Sequence, residues 1–168
     1  VQAALHDAAR LKNFCAGKNL KLIFNDRADL ALLSGFDGVH VGQQDLAAED
    51  ARNIVGPNAW VGVSTHSPQQ AAEADRTSCD YVAYGPVFPT ATKENPDPTV
   101  GLAGLHMART LTQKPLVAIG GITLENCRSV LNAGADSVAV ISGLLPTGGD
   151  PSHKGTRQIA EEFLSLLG

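Results

Sequence analysis

The sequence is poor in aromatic residues, cysteines and long apolar runs. Aromatic side chains make up 5% of the 168 residues, so the core has to be built from valine, leucine, isoleucine and alanine. The three cysteines, Cys15, Cys79 and Cys127, are far apart and form no C-x-x-C pair, which argues against a disulfide framework or a zinc site. No apolar run reaches the ~18 residues that span a membrane, and the first residues do not resemble a signal peptide. A cytoplasmic protein with no membrane partner is therefore predicted.

Positive charge is also scarce. The chain has 13 Lys and Arg residues against 17 Asp and Glu residues, a formal net charge of −4, and it contains no basic run. A general attraction to nucleic acid is therefore not expected. Any anion site has to be local, made of a few cations, backbone amides or a bound metal.

The sequence does contain a regular alternation of short apolar segments and amphipathic segments. The predicted strands are 20–26, 37–42, 60–65, 79–88, 115–122 and 136–142, and the helices that follow them are 27–35, 45–56, 67–75, 101–112, 123–134 and 155–168. Strands rich in valine and isoleucine that alternate with helices over short linkers are typical of a parallel sheet. The length suits one domain with a substantial core, so 1–168 is predicted to be a single domain.

Three segments repeat one pattern of a small residue, an acid and then a strand. They are SGFDGVHVG (34–42), SCDYVAYG (78–85) and AGADSVAVIS (133–142). Equivalent strand–helix units favour a closed barrel over an open sheet. About six units are present, two short of the eight in a TIM barrel.

Polar residues stand where the predicted strands end. The endings are Asn25-Asp26, Gly42 to Asp45, Ser64-Thr65-His66, Thr90 with Thr92 and Lys93, Gly120-Gly121, and Ile141-Ser142-Gly143. Parallel α/β folds bind ligands at the C-terminal ends of their strands. Six polar endings in succession favour a ligand-binding face over simple turns.

Asp26 and Asp45 are one strand–helix unit apart and are expected on neighbouring strand ends. Two carboxylates with room for water and phosphate oxygens suit Mg²⁺. The alternative is that each aspartate caps the N-terminus of the helix that follows it.

Gly120-Gly121 and Ile141-Ser142-Gly143 end the last two predicted strands, where TIM barrels commonly bind phosphate through backbone N–H groups. Tight turns are the alternative for these glycines. Lys93, on a loop stiffened by Pro89, is either a phosphate ligand or a solvated surface lysine.

The histidines are less informative. His66 is either an acid or base at a strand end or a residue that helps to start the next helix. His40, inside a strand, is interpreted as a packed or hydrogen-bonded histidine.

Taken together, the segments LIFNDRADLAL, GVHVGQQDL, VGVSTHS, YVAYGPVFPTATKENPDPTVGL, VAIGGI and AGADSVAVIS resemble the thiamine phosphate synthase family from about residue 20 to 145. The resemblance implies a TIM barrel. It also implies a transferase that joins hydroxymethylpyrimidine pyrophosphate to thiazole phosphate, releases pyrophosphate and requires Mg²⁺.

The resemblance also implies roles for individual residues. Asp26 and Asp45 would hold Mg²⁺ on the departing pyrophosphate, and Lys93 and Ser64 are assigned to catalysis. The residues expected to contact the pyrimidine or its pyrophosphate are Asn25, Ser64, Thr92 and Lys93, and those expected around the thiazole phosphate are Thr90, Gly121, Ile141 and Ser142.

One departure from the family concerns the N-terminus. The family begins with a strand and then a second strand that ends in a Q-x-R-x-K motif, which binds pyrimidine and pyrophosphate. This sequence has neither and enters a helix directly after Val1-Gln2. We interpret Gln2 as the remnant of the second strand and as a substrate contact, with 1–168 a TIM-barrel domain that is incomplete at its N-terminus. If the chain is instead complete, barrel closure and activity are both in question.

Two other functions remain open. A thiazole tautomerase of the sister branch would have a similar barrel and would use His66 for proton transfer. A non-catalytic barrel would bind a phosphorylated ligand without reaction. Asp45 and the P-T-x-T-K loop favour the synthase, with small phosphorylated substrates as partners and a homo-oligomer as a possible assembly.

Overall fold

The computed structural model describes residues 1–90, 97–145 and 153–168, and the side chains of these residues except His153 and Lys154. Strands alternate with helices along these ranges. The strands are β1 (Ile23–Asn25), β2 (Gly38–Val41), β3 (Trp60–Thr65), β4 (Tyr81–Tyr84), β5 (Leu116–Ile119) and β6 (Ser137–Ala139). The helices are α1 (Gln2–Cys15), α2 (Ala28–Ser34), α3 (Ala48–Val55), α4 (Pro68–Asp75), α5 (Gly101–Leu111), α6 (Leu124–Asn132) and α7 (His153–Leu167).

The chain divides into two compact units. Unit 1 comprises Val1–Ser64 and Arg76–Tyr81, and unit 2 comprises Thr65–Asp75 and Val82–Gly168. Each unit contains parallel strands that neighbour one another in chain order. In unit 1, β1 pairs with β2 and β2 with β3, and in unit 2, β4 pairs with β5 and β5 with β6.

Valine and alanine dominate the core of both units, as the scarcity of aromatic residues predicts. In unit 1, Val39, Val41 and Val61 on the strands are buried together with small helix residues such as Ala31 and Ala51. Alanine on the inner face of a helix lets the helix pack closely against a strand, and β-branched valine suits the pleated surface.

The acid of the repeated segment ties each strand to the strand before it. In unit 1, the carboxylate of Asp37 accepts the backbone N–H of Leu22 at 2.8 Å and the Lys21 ammonium at 2.9 Å. Asp80 likewise accepts the N–H of Val61 at 2.6 Å and the Arg52 guanidinium at 2.5 Å.

Unit 2 has the same arrangement. Asp136 accepts the N–H of Leu116 and the guanidinium of Arg109, both at 2.7 Å. We call Asp37, Asp80 and Asp136 with these partners the aspartate clamps. They explain why an acid recurs before the strands.

The predicted parallel α/β fold is confirmed, and each of the twelve predicted elements is present. β3 has the predicted bounds, α7 begins two residues earlier than predicted, and the other ten elements are shorter than predicted. The described residues contain six strands, so a full eight-stranded barrel is not shown. The last strand ends at Ala139 rather than at residue 142, because Ser142–Leu144 turn into a 3-10 helix. Within the described part of the chain, no helix combines the length and the apolar character that crossing a membrane requires.

Candidate active site

Two carboxylates meet at the ends of β1 and β2 in unit 1. Asp26 follows β1 directly, and its backbone N–H donates to the carbonyl of His40 at 2.7 Å. The pKa of Asp26 is raised, first by partial desolvation and then by the charge of the nearby Asp45 and a side-chain hydrogen bond with it. The prediction that the two aspartates lie on neighbouring strand ends is therefore confirmed.

The alternative role of these aspartates, as helix N-caps, is wrong. The N-cap of α2 is Arg27 and that of α3 is Ala47, and neither makes a side-chain capping bond. Asp45 instead accepts the backbone N–H of Gly42 at 2.8 Å, which closes the turn after β2.

The donor set of this pair fits Mg²⁺. Two carboxylates of like charge held in contact need a proton or a cation to offset their repulsion, and hard oxygen ligands suit Mg²⁺. In the part of the chain that the structure describes, no group of three or more His, Cys, Asp or Glu side chains is placed to hold a metal. Asp26 and Asp45 would therefore supply two ligands, and water or phosphate oxygens would supply the others.

Ser64 lies at the end of β3. This strand pairs with β2, the strand that Asp45 follows. Its hydroxyl is 2.8 Å from Nε2 of His40, whose Nδ1 is 3.0 Å from the hydroxyl of Tyr81. The side chain of Gln43 also donates to the Ser64 carbonyl at 2.6 Å. His40 is thus a hydrogen-bonded strand histidine, as predicted, and burial lowers its pKa against the opposing effect of Asp45.

Unit 2 has a glycine turn at the end of β5. Gly120 and Gly121 have φ values of +89° and +64°. A Cβ atom on Gly121 would lie 2.5 Å from the carbonyl oxygen of Pro89 and 2.8 Å from Cβ of Phe88. Glycine is needed here because the backbone passes close to the loop after β4. Backbone amides at such a glycine turn are the kind of groups that bind a phosphate.

The other predicted phosphate contacts are also in unit 2. Ile141 is 69% exposed and stands at the N-cap of the 3-10 helix that Ser142 begins. The isoleucine side chain has no polar group to offer a phosphate. Ile141 would therefore contact the ligand through its backbone N–H. Thr90 is half-buried and follows the Pro89 carbonyl that faces Gly121.

His66 is held on two sides within unit 2. Its Nδ1–H donates to the carbonyl of Gly85 at 2.6 Å, and Nε2 is 3.5 Å from a carboxylate oxygen of Asp97. Its backbone N–H donates to the side chain of Gln70 in α4 at 2.7 Å, which agrees with the helix-starting role. The acid–base role of His66 stays a prediction.

Three predicted site residues lie elsewhere. Thr92 and Lys93 are outside the described residues. Gln2 is exposed and is the first residue of α1 rather than part of a strand. Its role as a substrate contact stays a prediction.

Sequence reasoning missed Tyr81, although the repeated segments carry a signal for it. The residue after the clamp acid is Gly38 in the first segment and Ser137 in the third, but it is a tyrosine in the second. A bulky polar aromatic residue in place of a small one indicates that this position contacts something particular, which is His40.

Comparisons with known proteins identify the family of the chain. A family model described as Thiamine monophosphate synthase matches residues 2–144. The chain belongs to the thiamine monophosphate synthase family. It is 60% identical over 146 residues to a thiamine-phosphate synthase of Koribacter versatilis, covering 87% of this chain and 65% of that protein. It is 40% identical over 164 residues to the Methanosarcina mazei thiamine-phosphate synthase, covering 98% of this chain and 67% of that protein.

A solved structure places the fold in the same thiamine monophosphate synthase family. The thiamine phosphate pyrophosphorylase of Pyrococcus furiosus superimposes with a TM-score of 0.83 at 33% identity, and the match covers 99% of this chain and 79% of that chain. The chain spans about two thirds of the length of the curated relatives it matches. The resemblance that the motifs indicated is confirmed at the level of the family.

Proposed function

We propose that the chain has the thiamine-phosphate synthase activity of its family. It would join hydroxymethylpyrimidine pyrophosphate to thiazole phosphate and release pyrophosphate. The observation that carries the proposal is the placement of Asp26 and Asp45 at the ends of the adjacent strands β1 and β2. Two carboxylates this close repel each other unless a proton or a cation offsets their charge, and Mg²⁺ that accompanies a pyrophosphate would supply the cation.

The residues of unit 1 suit the pyrimidine substrate and its pyrophosphate. Asn25 ends β1 beside the carboxylate pair and can hydrogen-bond to the pyrimidine or to a phosphate oxygen. Ser64 presents a hydroxyl at the end of β3. Mg²⁺ held by Asp26 and Asp45 would offset the negative charge that builds up on the leaving pyrophosphate.

The residues of unit 2 suit a phosphate monoester. Backbone amides at Gly121 and Ile141 and the hydroxyl of Ser142 can bind the thiazole phosphate without a formal positive charge. Thr90 would lie beside the thiazole ring. Thr92 and Lys93, assigned by the family resemblance, would add a hydroxyl and a cation for the pyrophosphate.

The reaction requires little covalent chemistry from the protein. The carbon–oxygen bond to pyrophosphate breaks with its electron pair leaving on oxygen, and the lone pair of the thiazole nitrogen forms the new carbon–nitrogen bond. A carbon attached to an aminopyrimidine ring tolerates positive charge in the transition state. The protein therefore has to orient the two reactants and stabilise the leaving charge.

The direct test supplies the full-length protein with both phosphorylated substrates and MgCl₂ and measures thiamine phosphate and pyrophosphate. The Asp45→Asn variant should need about tenfold more Mg²⁺ or worse for half-maximal rate, because the loss of one charged ligand costs at least ~1.4 kcal/mol of binding. Its fold should be retained, since Asp45 caps no helix.

The matched control is Asp50→Asn, which removes an exposed carboxylate from the first turn of α3 in the same unit. It should leave the Mg²⁺ requirement unchanged. If no thiamine phosphate forms while a thiazole carboxylate is isomerised, the protein is a tautomerase. If thiazole phosphate binds in calorimetry and no pyrophosphate is ever released, it is a binding protein.

A further inference from the structure

In unit 1, the side chains of Tyr81, His40 and Ser64 form a hydrogen-bonded series, which we call the relay. The Tyr81 hydroxyl is 3.0 Å from Nδ1 of His40, and Nε2 of His40 is 2.8 Å from the Ser64 hydroxyl. The contacts join residues that are 41 and 24 positions apart in the sequence. His40 has both ring nitrogens engaged, so its orientation is fixed from two sides.

The packing around the relay restricts the orientations of the His40 and Tyr81 rings. The His40 and Tyr81 rings are stacked with centroids 5.5 Å apart, and the ring of Trp60 lies against Tyr81 at 6.4 Å. Gly62 is paired with His40 in the sheet, and a Cβ atom there would collide with the Tyr81 ring and lie 2.5 Å from Nδ1 of His40. A glycine at position 62 is therefore required for the tyrosine to reach the histidine.

The chemistry of the two groups sets the direction of the hydrogen bonds. Burial raises the pKa of Tyr81 to about 12, so the phenol keeps its proton. A phenol O–H is a stronger hydrogen-bond donor than the aliphatic O–H of a serine, so of the two hydroxyls the Tyr81 O–H is assigned as the donor, to Nδ1 of His40. Nε2 of His40 then carries a proton and donates it to the Ser64 oxygen.

We propose that Tyr81 and His40 are positioning residues that hold Ser64 as a hydrogen-bond donor towards the pyrimidine substrate. Because Nε2–H already occupies a lone pair of the Ser64 oxygen, the serine proton is directed to an acceptor on the ligand, a ring nitrogen or a phosphate oxygen. Gln43, which donates to the Ser64 carbonyl at 2.6 Å, fixes the backbone of the same residue. The inference rests on the proposed function for the identity of the ligand, but the direction of the relay does not.

The direction is tested without substrate by NMR of the full-length protein labelled with ¹⁵N in histidine. Two-bond ¹H–¹⁵N correlations at neutral pH distinguish a ring protonated on Nε2 from one protonated on Nδ1, and the His40→Gln variant assigns the signals. We expect His40 to be protonated on Nε2 alone. In Tyr81→Phe the signals should shift towards a mixture of the two tautomers. A wild-type ring protonated on Nδ1 would overturn the inference.

The functional consequence is tested by a double-mutant cycle. Tyr81→Phe keeps the ring stack and removes only the hydroxyl. It should lower kcat/KM for the pyrimidine pyrophosphate by about three- to tenfold, the usual worth of one hydrogen bond. In a Ser64→Ala background the same change should alter kcat/KM by less than about twofold, because the relay then has nothing to orient. If the two effects multiply instead, the relay does not act through Ser64.

The matched control is Tyr84→Phe, which removes the hydroxyl of a buried tyrosine that faces Gly104 of α5 in unit 2. It should leave kcat/KM unchanged. If Tyr84→Phe reduces activity as much as Tyr81→Phe does, the effect is a general response to losing a buried hydroxyl. If no variant and no wild-type sample forms thiamine phosphate, the proposed function fails, and the NMR result still decides the relay.

Discussion

At the scale of single residues, the glycine turn after β5 shows how close packing and a left-handed backbone act together. Gly121 combines a φ of +64° with a backbone neighbour where a side chain would start. Gly17, after α1, has a φ of +74° and nothing within 4 Å of the position of a Cβ atom. The two glycines therefore separate the cost of the conformation from the cost of the contact.

Gly121→Ala should destabilise the protein by at least about 2 kcal/mol, because left-handed strain and a collision with the Pro89 carbonyl add together. Gly17→Ala should cost only about 1 kcal/mol, from strain alone. Urea unfolding of both variants measures the difference. Equal losses would show that the contact with Pro89 carries no weight.

The same scale shows which site residues a sequence can reveal. The contact between Asp26 and Asp45 follows from their spacing of one strand–helix unit, since parallel strands bring successive ends together. The role of Tyr81 could not be predicted in this way. It depends on the register that sets His40 beside Gly62 and on the space that this glycine leaves, and neither is visible in a linear pattern.

At the scale of secondary-structure elements, the aspartate clamps join the start of one strand to the segment before the next. Alternation of apolar and amphipathic segments predicted the strands and helices, because burial of one face dictates that pattern. It placed the ends less well. The apolar composition extends beyond these short strands into the turns around them. The pattern therefore predicts a strand over 79–88, whereas β4 is Tyr81–Tyr84.

Asp37→Asn tests a clamp and its pH dependence. The hydrogen bond from the Leu22 amide and then that from Lys21 hold the pKa of Asp37 below its usual value. A lowered folded-state pKa means that the carboxylate adds stability above its unfolded-state pKa of ~3.9, and that this stability is lost as the pH falls through the lower folded-state value. The variant should lose up to about 1 kcal/mol at neutral pH, a small value because the Asp37 side chain is 34% exposed.

The difference between the variant and the wild type should disappear in strong acid, and urea titrations across the pH range measure it. The control Asp7→Asn removes an exposed carboxylate that is 3.8 Å from Arg10 on α1, and it should change stability little at any pH. A loss for Asp37→Asn that is the same at all pH values would contradict a role for the charge.

At the scale of the whole chain, the residues proposed for the two substrates belong to different units. Asp26, Asp45 and Ser64 lie in unit 1, whereas Gly121 and Ser142 lie in unit 2. If the proposed function is right, each substrate should slow amide hydrogen exchange in a different unit.

Amide hydrogen exchange measured with each substrate in turn tests this expectation. Mg²⁺ with the pyrimidine pyrophosphate should slow exchange in peptides from 38–46 and 60–64 of unit 1. Thiazole phosphate alone should slow exchange in 119–123 and 140–145 of unit 2. Peptides from α5 serve as an internal control and should change little. Protection of the unit 1 peptides by thiazole phosphate alone would reverse the assignment.

Unit 1 is discontinuous along the chain, since Arg76–Tyr81 rejoins it after Thr65–Asp75 has contributed to unit 2. This has a consequence for recombination between related genes. A crossover placed after codon 64 would take His40 and Ser64 from one parent and Tyr81 from the other, although the three side chains form one hydrogen-bonded series. A chimera that keeps this series intact needs its breakpoint before codon 40 or after codon 81, or a second breakpoint that restores the parental tyrosine.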